Sequence, residues 1–160
     1  MNRFEDRYKK NDIPWDTSRP DYNLTNYITN SCIEPCKTLE IGCGTGENAI
    51  WLARKGFDIK AVDVSAKAIS MAIEKSKDYG ILVDFETQDF ITKKTEGSVY
   101  GFVFDRGCFH SMKTDSEKKA FVDNVYESLY DKGIWLSLIG STDSNHEGSG
   151  PPKLSATEIT

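Results

Sequence analysis

From residue 37 onward, short apolar runs rich in β-branched residues alternate with longer stretches whose apolar positions recur every three or four residues. That order predicts a parallel sheet covered by helices. KTLEI (37–41) is a first strand, and Glu47 to Lys55 is a helix that turns Ala49, Ile50, Leu52 and Ala53 inward, with Gly56 where a C-terminal cap belongs. FDIKAV (57–62) is a second strand. Ser65 then caps a helix that buries Ile69, Ala72 and Ile73 and ends by Gly80. ILVDFET (81–87) and VYGFVF (99–104) supply two more strands. A helix from Asp115 or Ser116 buries Phe121, Val122, Val125 and Leu129 and stops near Gly133, and IWLSLIG (134–140) is a fifth strand. The stretch STDSNHEGSGPPK after it is a loop by composition. With no internal repeat and no linker, the expectation is one α/β domain over 1–160: an arm or lid (1–36), a core (37–140), and a loop leading into a helix start (141–160). Its sheet is doubly wound, mostly parallel and flanked by helices.

Between the first strand and its helix stands Glu40-Ile41-Gly42-Cys43-Gly44-Thr45-Gly46. Glycines there let the backbone turn sharply and let a ligand approach without Cβ interference. A dinucleotide site wants its third glycine five places after the first, and that position holds Glu47. An acid two residues before the first glycine is badly placed beside a pyrophosphate and well placed for an ammonium group or a cationic sulfur. Asp63 ends the second strand, where a carboxylate can accept both hydroxyls of a ribose. Gln88-Asp89-Phe90 follows the third strand, with an acid for an adenine amino group and an aromatic to cover the ring. Each has a plainer use: a helix N-terminal charge for Asp63, a turn for Asp89, core packing for Phe90. All three fall at the carboxyl ends of successive strands, where open α/β sheets bind ligands, and together they point to an adenosine-bearing cofactor.

Composition narrows the partners. Apolar residues make up 38% and charged residues 28%, the balance of a water-soluble globular chain. No apolar run approaches the roughly 20 residues of a membrane span, and the N-terminus has no signal-peptide pattern, so a cytoplasmic location is expected. With a net charge of −5 and the pairs Lys9-Lys10, Lys93-Lys94 and Lys118-Lys119 scattered among acids, nucleic acid is not an expected partner. Cys32, Cys36, Cys43 and Cys108 show neither a CxxC pair nor a zinc spacing, so reduced thiols and no metal are expected.

Through LEIGCGTG, the acid of AVDVS and the QDF turn, the chain resembles the class I S-adenosylmethionine-dependent methyltransferases. FDRGCFHSM (104–112) and IPWDTSRPDYNL (13–24) resemble the thiopurine-methyltransferase-like branch that acts on small molecules; the likeness covers about residues 8 to 140. It implies a Rossmann-like fold, S-adenosyl-L-methionine as cofactor, and methyl transfer to a small-molecule thiol, amine or oxyanion. It also implies that Glu40, Gly42, Cys43, Gly44 and Gly46 line the methionine end, Asp63 and Val64 the ribose and adenine edge, and Asp89 and Phe90 the adenine.

FDRGCFH leaves the fourth strand, which the topology sets beside the glycine loop, so Arg106 and His110 are the candidates for the acceptor side. Arg106 would favour an acceptor anion and His110 would take its proton. The alternatives are an ion pair that holds the loop and a satisfied histidine at a helix start. Trp15, with Arg19 and Pro20 behind it, either covers the cofactor as a lid or pins the arm to the sheet. His146 gets no role. Two rival functions stay open: a non-catalytic cofactor-binding or interaction module, and an NAD-type oxidoreductase, which the glycine spacing opposes.

The family's sheet usually has seven strands, the last two forming a hairpin, whereas five are legible here. Ser155-Ala156-Thr157-Glu158 has the form of a capping box just after Pro151 and Pro152. A shortened or incompletely represented chain without the C-terminal hairpin is therefore expected, with WLSLI as an apolar edge that leaves it a monomer or an edge-mediated dimer.

Overall fold

Alternation along the strands decides what each face of the sheet buries. In the computed structural model, which describes residues 3–31, 33–93, 97–142, 153–155 and 157, Ile59, Ala61, Phe102 and Phe104 pack into one cluster. Val62 and Val103, between them in sequence, pack into another with Leu39 and Ile41. The first cluster is closed by helices α2 (Tyr22–Asn30), α3 (Glu47–Arg54) and α4 (Ala66–Asp78). The second is closed by α5 (Asp115–Ser128) and a 3-10 turn at Phe109–Ser111.

The strands are β1 (Lys37–Ile41), β2 (Asp58–Asp63), β3 (Asp84–Thr87), β4 (Tyr100–Arg106) and β5 (Leu129–Leu138). All four neighbouring pairs are parallel, in the order β3-β2-β1-β4-β5. The chain winds outward from β1 to β3, then returns to start β4 on the other side of β1. The order thus reverses between β1 and β4, and the carboxyl ends on either side of that reversal are the usual ligand position of such sheets.

The predicted sheet, flanking helices and parallel strands are all present. Several element ends and one helix face differ. α5 stops at Ser128, and Leu129, expected as its last buried residue, is already paired with Tyr100. The pairing then slips so that Ile134 faces Phe102, and Lys132 inside the slip takes φ 64°. Val122 is 40% exposed, because the buried stripe of α5 runs through Phe121, Asn124, Val125 and Ser128. β3 is confined to four residues, with Leu82 almost fully exposed before it.

The arm, read only as a segment, carries α1 (Arg3–Lys9) and α2. The terminal loop contributes one short parallel pairing, β6 (Gly140–Ser141) with β7 (Lys153–Leu154). The helix start expected at 155–158 lies largely outside the described residues, as do His146, Pro151 and Pro152.

Candidate functional site

The glycine loop is bent by left-handed residues. Gly42, Gly44 and Gly46 take φ of 71°, 55° and 85°, a region that side chains resist. The backbone N–H groups of Gly42 and Cys43 both donate to the carbonyl of Val62, which ties the loop to the end of β2. A Cβ on Gly42 would collide with Sγ of Cys108, and one on Gly46 would lie 2.9 Å from Phe85 and 3.0 Å from Ala72. Gly42 therefore lets the loop after β4 approach, while Gly46 lets α3 settle against α4 and β3. Cys43 is buried, and burial pushes its thiol well above the usual range.

Two carboxyls lie within this frame. Glu40 is 1% exposed; its Oε1 accepts from Nδ2 of Asn48 at 3.0 Å, and its Oε2 has no hydrogen-bond partner among the described residues. Burial pushes Glu40 up to about 8, against the pull of Asn48 and with a further push from Asp63. Asp63 is 7% exposed and accepts from the N–H of Gly44 at 2.9 Å and of Ser65 at 2.8 Å, one bond per oxygen. Burial raises it too, opposed by those two bonds. Val64 beside it is exposed.

After β3, Asp89 is exposed and closes a turn by accepting from the N–H of Ile91. Phe90 is buried, its ring 5.2 Å from that of Phe121, and its carbonyl accepts from Asn124 at 2.7 Å. The ring that was expected to cover an adenine thus packs in the core, which was the plainer alternative.

Above the loop lies the arm, whose helices and contacts the sequence did not reveal. Glu5 of α1 accepts from Oγ of Ser65 at 2.6 Å and from N of Lys67 at 3.1 Å, so it caps α4 from outside. These bonds, the hydroxyl first, lower Glu5 to about 2. Tyr8 is 5% exposed, and a Cβ on Gly44 would meet its hydroxyl at 2.9 Å. Trp15 donates from its indole to that hydroxyl at 3.0 Å, lies edge-on to Phe4 and Tyr8, and carries the guanidinium of Arg7 on its ring face. Asp16 accepts from Oγ1 of Thr45, inside the glycine loop, at 2.8 Å. Trp15 thus pins the arm, whose Tyr8 lies against Gly44.

Arg106 turns toward the same arm. Its Nε pairs with Oδ2 of Asp21 at 2.7 Å and its Nη1 donates to the carbonyl of Trp15 at 3.1 Å. His110 is buried in the 3-10 turn, where its Nδ1 accepts from the N–H of Gly140 at 3.0 Å, and burial lowers its pKa. A ring nitrogen that accepts from a backbone N–H carries no proton, so the neutral ring holds its proton on Nε2. Asp105 braces the turn from beneath, accepting from the N–H groups of Cys108 and Phe109 and from the indole of Trp135. Tyr8, Asn48, Asp16 and Asp21 were not foreseen as parts of the site. Asp16 and Asp21 stand in IPWDTSRPDYNL, beside Trp15, whereas Tyr8 and Asn48 lie outside it and carry no sequence signal of their own.

Comparison with known proteins bears on the family and the fold. The family whose sequence model matches, over residues 1–160, is Thiopurine S-methyltransferase (TPMT). An uncharacterized methyltransferase of Schizosaccharomyces pombe is 31% identical over 107 residues, which are 67% of this chain and 74% of that protein. The solved structure described under "Conversion of a Disulfide Bond into a Thioacetal Group during Echinomycin Biosynthesis" superposes with a TM-score of 0.80 at 26% identity, over 87% of this chain and 59% of that one. Magnesium protoporphyrin IX methyltransferase from Synechocystis PCC 6803, solved with bound SAM, shares the fold at a TM-score of 0.67 and 18% identity, over 86% of this chain and 61% of that one. The chain thus spans under two thirds of the solved chains it resembles.

Proposed function

The chain belongs to the thiopurine S-methyltransferase family, S-adenosylmethionine-dependent methyltransferases with a Rossmann-like fold, and from that membership we propose that it methylates a small-molecule acceptor that arrives already ionised, a thiolate above all. The observation that carries the cofactor assignment is the orphaned Oε2 of Glu40, an acceptor buried beside a loop of left-handed glycines. A buried oxygen without a partner is costly, and an ammonium group satisfies it. Asp63 fits the ribose: each of its oxygens holds one N–H and keeps a lone pair for a hydroxyl. Tyr8 and Trp15 exclude water from above, and Arg106 holds them there.

When bound, S-adenosylmethionine supplies a methyl group on a sulfonium, a leaving group that needs no further activation. The protein's own task is alignment, for which effective molarities are large. Among the described residues, neither His110 nor the nearby thiols are ready bases: Nδ1 of His110 is occupied by Gly140, its pKa is lowered, and the thiols of Cys43 and Cys108 are pushed up and stay protonated. Hence the preference for an acceptor that sheds its own proton, which Nε2–H of His110 then steadies as a donor. Arg106 acts by holding the arm and lending positive charge at the end of β4.

A methyl-transfer screen with aromatic thiols, amines and oxyanions of graded acidity tests this reading. The expected result is transfer to thiols, with a rate that rises with pH through each acceptor's own pKa. Transfer to neutral amines alone would overturn it.

A further inference from the structure

Asn48, in the first turn of α3, touches both the buried acid and the arm. Its Nδ2 donates to Oε1 of Glu40 at 3.0 Å, and its Oδ1 accepts from the N–H of Asp21 at 2.8 Å. Asp21 in turn caps α2 with Oδ1, taking the N–H of Asn23 at 2.8 Å, and holds Nε of Arg106 with Oδ2 at 2.7 Å. One amide thus closes a path that runs from Glu40 through Asn48 and Asp21 to Arg106.

The two ends of that amide are not independent. A half-turn would set its oxygen against the Glu40 carboxyl and its NH2 against the N–H of Asp21, so the arm's N–H fixes the orientation in which Nδ2 faces Glu40. Without the arm that constraint is gone, and the donor that favours a charged Glu40 is free to turn away. We propose that Asn48 is a positioning residue that couples the seating of the N-terminal arm to the orientation of Glu40, and through Glu40 to capture of the ammonium group of the cofactor. This inference rests on the S-adenosylmethionine reading of the site.

The sign of the pH dependence follows from the groups around Glu40. Asp63 of β2 opposes its charge, Arg106 at the end of β4 and Asn48 of α3 favour it, and the thiols of Cys43 and Cys108 are held protonated nearby. An ammonium ligand binds the charged carboxylate, so below the free carboxyl's pKa binding must first expel a proton. Removing the donor raises that pKa further, so loss of Asn48 weakens binding most at low pH.

The test is calorimetric titration of S-adenosylhomocysteine into the full chain between pH 6 and 9, in buffers of different ionisation enthalpy, with trypsin cleavage after Arg7, whose guanidinium lies on the Trp15 ring, as a second readout of arm seating. For Asn48→Ala, affinity should fall about tenfold at pH 6.5, with the deficit closing toward pH 9, and the chain should be cut faster after Arg7. Asn48→Asp keeps the acceptor for Asp21 and loses the donor to Glu40. It should leave Arg7 protected while showing at least as large a deficit at low pH, so a folding defect in the alanine variant does not blunt the test. A deficit of equal size at every pH in both variants would overturn the coupling. Failure of the parent chain to bind S-adenosylhomocysteine would overturn the reading beneath it.

Discussion

Burying Glu40 is tolerable only while its carboxyl stays protonated or finds a cation. In the unfolded chain this carboxyl releases its proton at the usual carboxylate pH, whereas in the fold it holds the proton up to about 8. The folded state therefore binds the extra proton, and the stability this supports is full below the unfolded pKa and lost as pH climbs toward 8. Glu40→Gln removes the titration. Without ligand, its melting temperature should gain on the parent's by roughly 5 °C or more between pH 5 and pH 8 in scanning calorimetry. A constant offset across that range would show that Glu40 does not titrate there. Asp63 gives a second expectation at this scale. S-adenosylhomocysteine at about 100 times its dissociation constant should add roughly 2.7 kcal/mol to the parent, and Asp63→Ala should lose most of that gain in the same melts. An unchanged gain would remove Asp63 from the ribose. Glu40 and Asp63 were legible in the sequence because strand ends and glycines fix where they sit. Tyr8 and Asn48 were not, because their partners are brought together only by folding.

Among the elements, the arm departs furthest from what the sequence suggested. α1 has seven residues, α2 nine, and neither carries an apolar stripe long enough to announce itself. Tertiary bonds hold them: Glu5 on Ser65, Asp16 on Thr45, and Asp21 with the Trp15 carbonyl on Arg106. Arg106→Ala should therefore loosen the arm as a unit. Trypsin should cut after Arg7 several-fold faster, and at pH 9, where Glu40 is already charged, methyl transfer should drop while calorimetric affinity for S-adenosylhomocysteine stays within a few-fold. Loss of affinity in step with transfer would place Arg106 against the cofactor itself. The strands were easier to read, since period-two burial and apolar runs coincide in β1, β2 and β4. The end of α5 misled because Leu129 continues the spacing of Val125 and so looks like one more helical contact. The backbone turns instead into β5, and the slip opposite Tyr100 and Phe102 takes up the extra residues.

For the whole molecule, the reversal of strand order between β1 and β4 sets everything else in place. It brings the glycine loop, the end of β2 and the turn after β4 together at one edge of the sheet, with the arm against them, where such sheets hold their ligands. A nicotinamide dinucleotide would bind in the same place, but it would ask for phosphate-binding glycines where this chain has Glu47 and for no buried acid at Glu40. One titration separates the two ligands most directly: S-adenosylhomocysteine and NADH, each into the ligand-free chain at pH 8. The expected result is one molecule of S-adenosylhomocysteine per chain with micromolar or tighter affinity, and no heat from NADH beyond dilution. Tighter binding of NADH, or no binding of S-adenosylhomocysteine, would contradict it.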